Sequence, residues 1–102
     1  MYNIYLISSK IGNIVTYKIG YTKRDPSIRV KEMKTGNASE LEVVDSFRSI
    51  WGPKIEATLK RNFKQYNVSG EWFNLPEVYV ESFSKNCEFI HNNFELLSID
   101  MF

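Results

Sequence analysis

Tyr17-Lys18-Ile19-Gly20-Tyr21-Thr22-Lys23-Arg24-Asp25-Pro26-Ser27-Ile28-Arg29-Val30 carries the end of a strand and the start of a helix in one continuous stretch. Its first residues are aromatic and β-branched, which suits a pleated strand. Asp25-Pro26 then reads as a helix start. Asp offers a side-chain acceptor to the first free N–H groups, and Pro has its φ already set for the first helical position. Gly36, two residues after Lys34, is a suitable stop, so a helix is expected over 26–34.

Upstream, Ile4-Tyr5-Leu6-Ile7 reads as a strand and Gly12-Asn13 as a turn, which makes the first part of the chain a β-hairpin. In its second strand Val15, Tyr17, Ile19 and Tyr21 share one face, leaving Thr16, Lys18 and Gly20 on the other. Lys18 is therefore a charged side chain among apolar neighbours. Tyr5 and Lys18 share a sheet face in some hairpin registers and not in others, a choice that sequence leaves open.

Downstream, 41–47 (LEVVDSF) reads as a third strand with Leu41, Val43 and Asp45 on one face and Val44 on the other. Gly52-Pro53 opens a helix in which Ile55, Leu59, Phe63 and Tyr66 follow the helical period and Glu56 and Lys60 form an outer i,i+4 pair; Val68-Ser69-Gly70 ends it. A short extended piece, Glu71-Trp72-Phe73-Asn74-Leu75, leads to a last helix over 76–97 with Val80, Phe83, Cys87, Ile90 and Phe94 on one stripe. The order β-β-α-β-α-α describes an α+β domain, a small antiparallel sheet flanked by helices, with 1–102 forming one unit.

Composition narrows the function. A chain of 102 residues, 43% hydrophobic and 15% aromatic, has enough apolar matter for one core. One Cys and one His supply neither an internal disulfide nor a four-ligand zinc site. No apolar run approaches the roughly 20 residues that span a bilayer, and the start lacks a secretory pattern, so no membrane association and an intracellular location are expected. The net charge of +1 hides a gradient. Residues 1–34 hold seven basic groups against Asp25 and Glu32, a balance of +5, whereas 76–102 hold Lys85 against five acids, a balance of −4. Such polarity suits an anionic ligand near the basic segment.

Single residues decide little: Tyr5, Tyr17 and Tyr21 read as strand packing, Cys87 as core, and His91 has no second ligand. The constellation is more telling. NIYLI, YKIGYTKRDPSIRV, MKTGNASELEVV, IEATLKRNF and GEWFNL follow one another between Tyr2 and Leu75. In order and spacing they resemble the GIY-YIG nuclease superfamily, in particular the branch common in phage and large-virus proteins whose second motif reads KIG. The last helix lies outside the match. The resemblance implies a three-stranded antiparallel sheet and metal-dependent cutting of a DNA phosphodiester. It puts Tyr5 at the family's first Tyr, Lys18 at the usual place of the second, Arg29 at the helix Arg and Glu71 at the metal-binding Glu.

The chemistry wants these residue types. Phosphodiester hydrolysis needs a deprotonated water and neutralised charge on the phosphorus centre. Glu71 offers a hard carboxylate suited to one Mg²⁺, or Mn²⁺. Arg29 has a planar donor fork that matches two phosphate oxygens, and Tyr5 or Lys18 is to take the proton from water. Two positions depart from the family pattern. Met33 stands where many active members carry His or Tyr, and Lys60 where the KIG branch often has His; Lys60 reads as a phosphate contact or as a solvated partner of Glu56. Lys23, Arg24, Lys31 and Lys34 form the expected phosphate-binding surface, and Asn37 adds a hydrogen bond. No element reads as a base-reading helix, so low sequence specificity is expected unless a homodimer or a partner protein supplies it. The rival expectations are a DNA-binding module without cleavage and, from the unmatched acidic last helix, a viral or phage protein that binds a host protein.

Overall fold

The structure, a computed structural model, describes residues 1–34 and 39–100. β1 (Tyr2–Ile11) and β2 (Ile14–Thr22) form the expected hairpin, closed at Gly12 with φ of 59°, a left-handed conformation that glycine adopts without strain. The register pairs Tyr5 with Gly20 and Ile7 with Lys18, which settles the open question: Tyr5 and Lys18 share a face. α1 (Pro26–Lys34) starts as expected, with Asp25 Oδ1 accepting from the Ser27 amide at 2.9 Å.

β3 (Glu40–Ser49) pairs antiparallel with the other side of β1. Its register shifts opposite Leu6 and Ile7, where Val43 pairs with Ile7 and Asp45 with Leu6, leaving Val44 as an extra residue. The bulge corrects the single face expected for Leu41, Val43 and Asp45. Leu41 and Val43 pack with Tyr5 and Ile7, whereas Asp45 and Phe47 turn to the opposite face, paired with Leu6 and Ile4.

α2 (Gly52–Asn62) is followed by a 3₁₀ turn (Lys64–Tyr66), then β4 (Asn67–Ser69) and β5 (Trp72–Phe73). The helix thus stops short of Tyr66, and the extended piece is half of a second hairpin. β5 pairs with β2, so the sheet has five strands in the order β3-β1-β2-β5-β4, not three. Strands of two and three residues are too short for alternation to register in sequence. The last helix is also divided, into α3 (Glu77–Glu81) and α4 (Phe83–Asp100), with Ser82 Oγ bonding back to the Val78 carbonyl at 2.7 Å at the break.

The sheet separates two apolar clusters. On one face Ile4, Leu6 and Ile19 pack with Ile55 and Leu59 of α2 and with Phe83 and Cys87 of α4. On the other, Tyr5, Ile7, Val30 and Leu41 lie beneath α1, with Met33, Val43 and Trp72 packed around them. Burying a side chain such as Phe83 contributes about 2–3 kcal/mol. His91 is part of this framework. Its Nδ1 stands 2.6 Å from Oγ of the fully buried Ser49, which also accepts the Trp51 amide at 2.9 Å. That pair ties the end of β3 and the start of α2 to α4. Among the described residues no helix is long and apolar enough to cross a membrane.

Candidate functional site

The second hairpin explains how Glu71, 53 positions after Lys18 in the chain, comes to lie beside it. Lys18 pairs with Trp72 across β2 and β5, and the Ile19 amide donates to the Glu71 carbonyl at 3.3 Å. Gly70, with φ of 53°, makes the tight turn into β5, and the Asn67 side-chain amide donates to the carbonyls of Gly70 and Trp72. Glu71 is thereby held at the sheet edge with Oε2 3.4 Å from Lys18 Nζ.

Lys60 reaches the same carboxylate from α2: its Nζ stands 2.8 Å from Glu71 Oε1 and 3.2 Å from Glu56 Oε1. Arg29 comes from α1. Its guanidinium lies near the Tyr5 hydroxyl, within range of the charge of Glu71, with Nη1 3.9 Å from Glu32 Oε1. Tyr5 in turn depends on Gly20, its strand partner, since a Cβ there would stand 2.5 Å from the phenol Cζ. Tyr5, Lys18, Arg29 and Glu71 therefore converge from β1, β2, α1 and the β4–β5 turn.

A family model for the T5orf172 domain matches residues 3–90, from β1 into α4. The chain belongs to the T5orf172 domain family. This is a phage-associated domain related to nuclease-type folds, so the chain falls in the class of nuclease-like or DNA-binding modules. No curated protein and no solved structure matches it.

Within this T5orf172 domain the electrostatics centre on Glu71. Burial pushes its carboxyl up, but Lys60 first and Lys18 second outweigh that and hold it below the usual carboxylate range. For Lys60 the order is the same: burial pushes it down, while Glu71 and Glu56 pull it back and leave it raised. Arg29 is raised chiefly through its contact with Tyr5. Lys18, whose side chain is 12% exposed, sits against the Glu71 carboxylate.

Glu71 is 46% exposed, and no group of three acidic, His or Cys side chains stands together among the described residues. Glu71, with Lys18 and Lys60 on its two oxygens and Glu56 beyond Lys60, is a hard carboxylate of the kind Mg²⁺ or Mn²⁺ takes; it would hold one such ion only with a bound phosphate completing the ligand set, the usual Mg²⁺ arrangement of one or two carboxylates plus substrate.

The remaining expected contacts are spread more widely. Lys23 lies over the Tyr2 ring at 5.3 Å, Arg24 pairs with Glu32 at 2.7 Å, and Lys31 and Lys34 are exposed on α1. Asn37 lies outside the described residues. Met33 packs into the apolar cluster beneath α1. Sequence reasoning does not foresee three contacts at the candidate site: Gly20 making room for Tyr5, Trp72 pairing with Lys18 and packing in the cluster that holds Tyr5, and the reach of Lys60 to Glu71. The KIG glycine is a signal for the first. A concavity of about 540 Å³ between α2 and α4, lined by Leu59, Phe63, Tyr66, Tyr79, Ile90 and Phe94, contains none of the four converging residues.

Proposed function

We propose that the protein is a metal-dependent DNA endonuclease of GIY-YIG type with low intrinsic sequence specificity. The observation that supports this most is the meeting of Tyr5, Lys18, Arg29 and Glu71 at one end of the sheet. In this reading Arg29, beside the Tyr5 hydroxyl, grips two oxygens of the scissile phosphate. Tyr5 or Lys18, in its deprotonated form, takes the proton from the attacking water, and Lys18 while protonated adds positive charge to the phosphate instead. Glu71 carries a single Mg²⁺ or Mn²⁺, whose chemistry when bound is neutralisation of charge on the phosphate oxygens. Exposed Lys31 and Lys34, with Lys23 and Arg24, hold the flanking backbone.

Met33 favours a second reading, a DNA-binding module with little or no cleavage. An apolar side chain packed under α1 cannot replace the proton-transferring His or Tyr that many active GIY-YIG enzymes carry there.

Supercoiled plasmid incubated with the protein and Mg²⁺ or Mn²⁺, beside Glu71→Ala and Lys18→Ala, separates the two. Nicking that disappears in both variants supports the endonuclease. Salt-sensitive retention of DNA without nicking supports the binding module, and neither signal sinks both.

A further inference from the structure

Lys60 makes the closest contact to the Glu71 carboxylate, 2.8 Å against 3.4 Å for Lys18, and it does so from the helix on the other side of the sheet from α1. It also has a second partner. Glu56, one helical turn back on α2 and more buried than Glu71, stands 3.2 Å from the same ammonium. If Lys60 releases Glu71, its charge remains balanced on its own helix. Glu71 keeps Lys18 on its other oxygen, and with both oxygens held by ammonium groups it offers a divalent cation a neutralised ligand beside two positive charges.

On the reading that Glu71 is the metal ligand, we infer that Lys60 is a positioning residue that competes with the cation for Glu71 and retires to Glu56 when a DNA phosphate enters. Cation and DNA then bind interdependently. A phosphate brings negative charge that attracts the cation and draws ammonium groups off the carboxylate. Binding free energies are reciprocal, so each ligand tightens the other by the same factor. Lys60 itself touches no reacting atom; its side chain sets when the carboxylate becomes available.

Mn²⁺ binding followed by electron paramagnetic resonance tests this without any turnover. The titration is run on the protein alone and on its complex with a nuclease-resistant phosphorothioate duplex, with the duplex background subtracted. Lys60→Met keeps most of the apolar stem and removes the charge, Lys60→Gln is a second neutral variant, and Lys60→Arg restores a cation; thermal melting checks that each is folded. The expected result is weak Mn²⁺ binding by the wild type, tightened by the duplex. In the neutral variants Mn²⁺ binding without DNA should be about tenfold tighter, the scale of removing one nearby unit charge at a solvated site. Lys60→Arg should behave as wild type. Folded neutral variants that bind Mn²⁺ no more tightly than wild type would overturn the role of Lys60 and leave the metal assignment standing. If Glu71→Gln binds Mn²⁺ as wild type does, the carboxylate is not the ligand, and both the assignment and this inference fall.

Discussion

The Tyr5 ring packs against the backbone of Gly20, its partner across β1 and β2, so closely that a Cβ at position 20 would stand 2.5 Å from Cζ and 2.8 Å from Cε1 of the phenol. The glycine of the KIG motif is therefore a space requirement: it lets a tyrosine from the neighbouring strand lie over the sheet and present its hydroxyl to Arg29.

Gly20→Ala tests that dependence. Tyr5 is 2% exposed and sits in a close-packed cluster, so the added methyl must displace the ring or the strand. A loss of about 1–3 kcal/mol in urea unfolding is expected, as for other over-packed cores. Nicking or DNA retention should fall further than stability alone explains. A variant as stable as wild type would contradict the contact.

Arg29→Lys keeps the charge and loses the fork. If Arg29 grips two phosphate oxygens, plasmid nicking should drop by about 10²-fold, the scale of losing one aligned donor to a developing charge. DNA retention at low salt should change little, because the Coulomb attraction remains.

The α1 lysines make a separable contribution. Replacing Lys31 and Lys34 together by Gln should reduce the slope of log affinity against log salt by about 2, since each phosphate contact contributes close to one unit for duplex DNA. Fluorescence anisotropy over a salt series measures it; an unchanged slope would remove α1 from the DNA surface.

Cys87 is fully buried, and burial first, with a smaller push from Asp45, raises its thiol to about 12. The native protein should therefore resist thiol reagents at pH 8, with labelling that tracks unfolding. The unfolded thiol ionises from about pH 9 while the folded one does not, so the unfolded state holds fewer protons and stability falls as pH rises between about 9 and 12. Urea midpoints at pH 7 and pH 10, wild type against Cys87→Ala, isolate that loss.

Ser49→Ala removes one group with two partners, the His91 ring and the Trp51 amide. Leaving both without their partner in a buried place should cost about 1–3 kcal/mol, read by thermal or chemical unfolding. His91→Ala should cost less, because Ser49 keeps the Trp51 amide.

Much of this is legible in the residues. β-branched alternation locates β1 and β2, and Asp25-Pro26 locates the start of α1, because those signals are local. The apolar stripe through Val80, Phe83, Cys87 and Ile90 does reach the core, although Ser82 breaks the helix that carries it. The hairpin of β4 and β5 is not legible. Its strands are held by the Asn67 amide and by pairing with β2, and distant pairing leaves no periodicity to read. The link from Lys60 to Glu71 is hidden for a related reason: Glu56 offers Lys60 a sufficient partner within the same helix, so nothing in the spacing points beyond it. Asp45 takes the face opposite to the one alternation predicts, because a bulge shifts the phase of a strand without altering its composition.

That bulge matters beyond the phase of β3. β3 is the outermost strand on its side of the sheet, and a ten-residue outer strand invites a strand from another molecule to zip along it. At Val44 the pleat is interrupted near the middle, so an incoming strand finds its hydrogen-bonding partners out of step after a few residues. The irregularity that lets one strand serve two cores also guards the domain against edge-to-edge polymerisation.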